Sequence, residues 1–223
     1  MPQTSTNDGV LFDMDGVLVD SYAPHLESWR RLAAELGAAV TEPQFAGTFG
    51  RTSREIIGIL FGTDRDEADV RRLDARKEAI YRDLVRGRVP AMPGAVDLLR
   101  SLHAEGFRAA IGSSGPAENV ALIVQEMELN GLIDARVTGA DVLRGKPDPQ
   151  VFLLAAQRLK LPPSRCAVVE DAPVGIQAAR AAGCVAIALT STHPAASFAD
   201  ANCVVAALSE LSPARIRDLI DRR

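Results

Sequence analysis

Two pairs of acidic residues stand where short apolar runs end. Asp13 and Asp15 follow Val10–Phe12, and Glu170 and Asp171 follow Cys166–Val169. Gathered in one place, four carboxylates repel one another, and some would take up protons. A hard divalent cation with oxygen ligands removes that conflict. Magnesium suits a site with few protein carboxylates, several waters and a phosphate-bearing substrate. Either pair alone is also what a solvent-facing strand end carries; the set of four points to a metal. Lys146 supplies a positive charge from the run GKPDP. Pro147 biases it toward extended backbone, while Asp148 and Pro149 read as the N-cap and first position of a helix. A lysine held on such a loop can balance a carboxylate and a bound phosphate, whereas one on a helix face is usually solvated. Ser113 and Ser114, followed by Gly115, offer hydroxyls and N–H groups at a helix start. That arrangement binds phosphate oxygens and serves equally as a plain cap. Gly16 can take the positive φ of a tight turn beneath such a site.

These groups need a scaffold that brings distant segments to one edge. Val10–Phe12 reads as a buried strand. From His25 to Leu36 the apolar positions Leu26, Trp29, Leu32, Ala33 and Leu36 share one helical face, and Gly37 ends it. Further helical patterns cover about 52–61 and 66–86. After Pro90, Pro93 and Gly94 the texture changes to alternating units. Helices at Ala95–Ala104, Glu118–Leu129, Pro149–Leu159 and Val174–Ala181 lead to strands at Phe107–Gly112, Ala135–Thr138, Cys166–Val169 and Cys184–Leu189. A strand near Val204 and a last helix follow. Such alternation implies an α/β fold with a parallel sheet covered on both faces. In that class ligands bind at the carboxyl ends of the strands, where Asp13, Ser113 and Glu170 would all sit. The predicted organisation is an α/β catalytic core from residues 1–19 and 89–223, with an inserted all-helical cap at 20–88.

Composition narrows the partners. The chain has 223 residues, a net charge of -4 and 24% charged residues. No basic run with interleaved aromatics favours a nucleic-acid partner. No apolar stretch reaches the ~18 residues of a membrane span, and the opening MPQTSTND has no apolar leader segment. Cys166, Cys184 and Cys203 are odd in number and set in apolar runs, so they read as buried thiols in a reducing compartment. The expectation is a cytoplasmic protein acting on a small phosphorylated metabolite.

The four segments FDMDGVLVDS, strand-Gly-Ser-Ser, GKPDP and VVEDAPVGIQAA together resemble the four motifs of the haloacid dehalogenase (HAD) superfamily, in the family's order. The helical insert after the first motif resembles the branch that contains β-phosphoglucomutase and many sugar-phosphate phosphatases. The resemblance implies a Rossmann-like parallel sheet with an inserted helical cap, which would exclude water from the site, and a monomer. It implies that Asp13 is the nucleophile and forms an aspartyl-phosphate, and that Asp15 is the general acid and base. Ser113, with Ser114, would bind the transferring phosphoryl group, and Lys146 would position that group and Asp13. Magnesium would be held by Asp13, the backbone carbonyl of Asp15 and Asp171, with Glu170 a direct or water-mediated partner. An aspartate at position 15 also speaks against dehalogenation, which needs no acid for a leaving alcohol.

Within the insert, His25, Trp29, Ser53-Arg54-Glu55, Lys77 and Tyr81 resemble substrate-facing positions of the mutase. Of these, His25, Arg54 and Lys77 are the candidate substrate contacts. One departure bears on the reaction: the chain has Pro116 near the place where the mutase carries a lysine. Without that charge, retaining a bisphosphate intermediate is harder, so the reading favours a phosphatase over a sugar-phosphate mutase. A catalytically silent module on the same fold is the third reading, and it would have shown the loss of a motif residue.

Overall fold

The computed structural model describes residues 7–48 and 51–222; the first six residues of the opening segment, the two residues before Arg51 and the last residue of the expected core lie outside that range. The short apolar runs form strands β1 (Gly9–Phe12), β2 (Arg108–Gly112), β3 (Ala135–Val137), β4 (Cys166–Glu170), β5 (Val185–Leu189) and β6 (Cys203–Val205). They make one sheet in the order β3-β2-β1-β4-β5-β6, and every neighbouring pair is parallel. β1, β4 and β5 are buried along their whole length. Being covered on both faces, they carry apolar residues at every position up to the site, with no alternation.

The first four helices are α1 (Tyr22–Glu35), α2 (Glu42–Ala46), α3 (Ser53–Phe61) and α4 (Glu67–Val85). The rest are α5 (Ala95–Ala104), α6 (Ala117–Glu126), α7 (Gln150–Arg158), α8 (Pro173–Ala182) and α9 (Pro213–Asp221). Phe152 and Ala155 of α7 and Ile176 and Ala179 of α8 pack in one cluster with Leu11, Val168 and Ala186 of the strands. α5 lies against β2 and α9 against β4, burying Leu98, Leu99, Leu102, Ile216 and Ile220.

Two compact units emerge. One runs to Asp20 and resumes at Ala91; the other is Ser21–Pro90. Among its described residues the regular elements of the second are all helices. Its core gathers Trp29, Leu32, Phe45, Ile57, Leu73 and Ile80. Reciprocal side-chain and backbone bonds start two of its helices: Thr41 with Gln44 opens α2, and Thr52 with Glu55 opens α3.

Several local expectations need correcting. α7 begins at Gln150 with Pro149 as its N-cap; Asp148 lies one residue further out and its Oδ1 accepts from the Gln150 N–H at 3.0 Å. β4 extends through Glu170, so that acid ends the strand instead of following it. α2 was not foreseen, being little more than one turn. Cys166 and Cys184 are buried, but Cys203 is half-buried on the edge strand β6.

Leu11 is fully buried at the centre of the sheet. Leu11→Ala is expected to cost about 2–5 kcal/mol, the lost transfer energy plus the cavity left behind. Urea unfolding checks this, and a cost below about 1 kcal/mol would mean that the core re-closes around the gap.

Candidate active site

Register builds the site. Phe12 pairs with Ile111 on one side and Val169 on the other, so Asp13, the residue after β1, comes level with Gly112 and Glu170, the last residues of β2 and β4. The Asp13 N–H continues the ladder to the Val169 carbonyl at 3.0 Å. The chain moves outward from β1 in both directions, toward β3 and toward β6. β1 and its neighbours therefore mark the switch point where open parallel sheets bind ligands.

The turn after β1 is tight. The Met14 carbonyl accepts from the N–H groups of Leu18 and Val19 at 2.9 and 3.0 Å, and the Gly16 N–H donates to the Val19 carbonyl at 2.8 Å. Gly16 has φ +82°, which glycine adopts without strain. It also has no room for a side chain, since a Cβ would collide with the Asp171 carboxylate.

Lys146 sits at the centre. Its Nζ donates to Asp13 Oδ1 at 2.5 Å and to Glu170 Oε1 at 2.7 Å, and lies 5.1 Å from the centre of the Phe152 ring. The second oxygen of Glu170 accepts from the Ala172 N–H at 2.6 Å, beside the start of α8. Asp13, Glu170 and Asp171 are 7%, 1% and 3% exposed, and each presents a carboxylate oxygen within 4.8 Å of the others. Burial pushes Asp13 up to about 7; Lys146 offsets part of that rise, and the charges of Glu170 and Asp15 add to it. Asp171 is raised well above the usual carboxylate range by burial, then by Glu170 and Asp13. Burial alone would favour a neutral Lys146, but Asp13 and Glu170 outweigh it and hold the ammonium above its ordinary value. The cluster thus places three carboxylates against one ammonium, an excess of negative charge in a nearly dry space. That is the condition a divalent cation with oxygen ligands relieves.

Ser113 is buried, with its N–H on the Val137 carbonyl at 3.0 Å and its Oγ accepting from the Gly115 N–H at 3.0 Å. The Asp15 carboxylate lies close by: a Cβ on Gly115 would stand 4.0 Å from Asp15 Oδ2. Ser114 is exposed, and its carbonyl packs so closely on Gly139 that a side chain there would collide. The structure therefore bonds Lys146 to Asp13 and Glu170, brings an Asp171 carboxylate oxygen within 4.8 Å of both acids, and sets Asp15 beside the Ser113–Gly115 turn. His25, Lys77 and Arg54 belong to the helical unit. Lys77 is buried, with its Nζ 2.8 Å from both His25 Nδ1 and Glu78 Oε1, and the His25 ring stacks on Tyr81 at 4.1 Å. Arg54 is exposed and pairs with Glu67 at 2.7 Å.

Sequence reasoning missed the turn Ser191–His193. Ser191 Oγ donates to the Gly16 carbonyl at 2.6 Å, and Thr192 Oγ1 lies 2.5 Å from Asp171 Oδ2. The available signal was the polar run Thr190-Ser191-Thr192-His193 directly after the apolar β5. The same strand-end rule that selected Ser113 applies to it.

A parallel switch-point sheet ending in a buried carboxylate–lysine cluster defines an α/β enzyme class. The family model described as haloacid dehalogenase-like hydrolase matches residues 8–183, and the chain belongs to that family. It is 34% identical to hexitol phosphatase A of Escherichia coli strain K12, over 92% of this chain and 93% of the relative. It is 30% identical to the β-phosphoglucomutase of Bacillus subtilis strain 168, over 91% of each. Among solved structures, a HAD hydrolase of family IA, variant 3, from Entamoeba histolytica superposes with a TM-score of 0.89 at 25% identity. That match covers 96% of this chain and 99% of the other.

Two outcomes follow from the geometry. In metal-free protein the folded state binds protons on Asp13 and Asp171 that the unfolded chain releases near pH 4. Stability from this source is complete below about pH 4 and is lost as pH rises toward the folded value of Asp13. In chelator, Tm is expected to fall between about pH 5 and pH 7, and Asp13→Asn, which cannot ionise, to fall less; parallel curves for the two proteins would rule the effect out. Separately, a Cβ on Gly175 of α8 would collide with the Glu170 carboxylate. Gly175→Ala should therefore displace Glu170 from Lys146 and lower the Tm, although alanine favours the helix by about 1 kcal/mol. An unchanged Tm in this variant would show that Glu170 tolerates the shift.

Proposed function

We propose that the chain is a magnesium-dependent phosphatase that hydrolyses a small phosphorylated metabolite, a sugar or polyol phosphate, through an aspartyl-phosphate on Asp13. The observation that carries this reading is the three-to-one excess of buried carboxylates over ammonium at the strand ends. Asp13, Asp171 and the backbone carbonyl of Asp15 would hold the ion, with Glu170 a direct or water-mediated partner. Magnesium, when bound, supplies positive charge against the negative charge that builds on the phosphoryl oxygens.

The chain's own residues carry the steps. Ser113 and the N–H groups at its turn hold the phosphoryl group, with Ser114 at its outer side. The ionised Asp13 carboxylate attacks phosphorus as the bond to the substrate oxygen breaks. Asp15 gives that departing oxygen its proton. Asp15, now a carboxylate, takes a proton from a water that attacks the phosphoaspartate; phosphate leaves and Asp13 is restored. Lys146 stays charged throughout, fixing Asp13 and balancing the transferring group. Substrate choice falls to the helical unit, with His25, Lys77 and Arg54 as its contacts. A buried lysine bonded to an imidazole and a carboxylate is costly to keep for packing alone, which supports a role for the first two. The hexitol phosphatase relative supports a sugar or polyol phosphate.

Phosphate release from a panel of hexose, hexitol and glycerol phosphates tests the reading. Hydrolysis is expected to require magnesium and to drop by about 10⁴-fold or more in Asp13→Asn. Equal rates in the two proteins would remove Asp13 from the mechanism. Conversion of β-glucose 1-phosphate to glucose 6-phosphate without phosphate release would replace the phosphatase by a mutase, against the expectation from Pro116.

A further inference from the structure

Asp171 is gripped from two sides. Gly16 closes one side, where only a missing side chain lets the carboxylate pack. The turn after β5 closes the other. Thr192 Oγ1 lies 2.5 Å from Asp171 Oδ2 and 2.9 Å from the Asp171 carbonyl. Thr192 Oγ1 thus meets both the main chain and the side chain of Asp171, and whichever oxygen of the shorter contact carries the proton, that contact fixes the carboxyl group. His193 Nδ1 lies 2.9 Å from Thr192 Oγ1 and 3.1 Å from the Asp171 carbonyl. Both of those atoms have acceptor capacity to spare, so this nitrogen is the one that carries hydrogen. The His193 ring sets its edge against the buried Phe198, 6.2 Å between centres. Ser191, at the head of the same turn, donates to the Gly16 carbonyl. Three consecutive residues thus tie the turn after β1 to the turn after β4.

We propose that Ser191–Thr192–His193 is a positioning element for divalent-cation binding: the chain His193 to Thr192 to Asp171 fixes the rotor of the Asp171 carboxylate before an ion arrives. This rests on the metal reading above. Hydrogen-bond partners of metal ligands orient them, and their loss typically weakens binding by about 10–100-fold. A carboxylate already held in place loses less freedom on binding. If the turn served packing alone, removing the Thr192 hydroxyl would change stability and leave affinity untouched.

Calorimetric titration of magnesium into the full chain without substrate separates these outcomes. Thr192→Val, which keeps the shape and removes the hydroxyl, is expected to bind about 10-fold more weakly with little change in metal-free Tm. Thr192→Ser should restore most of the affinity. His193→Phe, which keeps a ring for Phe198 and removes the donor, should weaken binding to a smaller extent. Wild-type affinity in Thr192→Val overturns the inference and leaves the metal reading intact; absence of magnesium binding in the wild type overturns both. If Thr192→Val does not fold, His193→Phe decides, with weakened binding in support and unchanged binding against.

Discussion

An ammonium caught between two buried carboxylates, with a third beside them, is the constraint around which the strand ends are arranged. Lys146 neutralises only part of the charge it meets, so the rest must be met by other means. Glu170 is served by the Ala172 N–H at the start of α8, where the helix dipole also favours negative charge. Asp13 has Lys146. Asp171 is the acid without a cationic partner in bonding contact among the described contacts, and the Thr192 hydroxyl gives it a bond but no charge. Much of the local geometry follows: Gly16 and Gly175 are glycines because a carboxylate occupies the space a side chain would need.

The sheet was legible in the sequence because strands buried on both faces must be short and apolar, and because a parallel sheet sends every strand end to one edge. Asp13, Ser113 and Glu170 could be grouped on that ground alone. Asp13 was expected to face Lys146, but Glu170 as its second acceptor was not. The lysine's loop was visible from Pro147 and Asp148, yet its contact with Glu170 depends on register across β1 and β4, which no local pattern encodes. Thr192 escaped for a different reason. An uncharged hydroxyl after a strand is the commonest kind of turn residue, and its partner lies 21 positions away.

The helical unit shows the same division. Its amphipathic stretches announced α1 and α4, and Trp29 and Leu32 fell on the buried face as their spacing required. Lys77 was singled out only through the family resemblance and Glu78 not at all, since adjacent charges on a long polar helix ordinarily face water. Both are buried, with Lys77 also 5.2 Å from the Trp29 ring. A charged pair can be kept out of water when an imidazole and aromatic faces replace the lost solvation.

The central place of β1 has a cost in time. Its two neighbours in the sheet, β2 and β4, start at Arg108 and Cys166, long after Gly9 has left the ribosome. At translation speeds of about 5–20 residues per second, an apolar strand with both edges bare waits several seconds for its first partner. During biosynthesis this chain therefore passes through an interval in which a strand destined for full burial is exposed and adhesive, and molecular chaperones would find their target there.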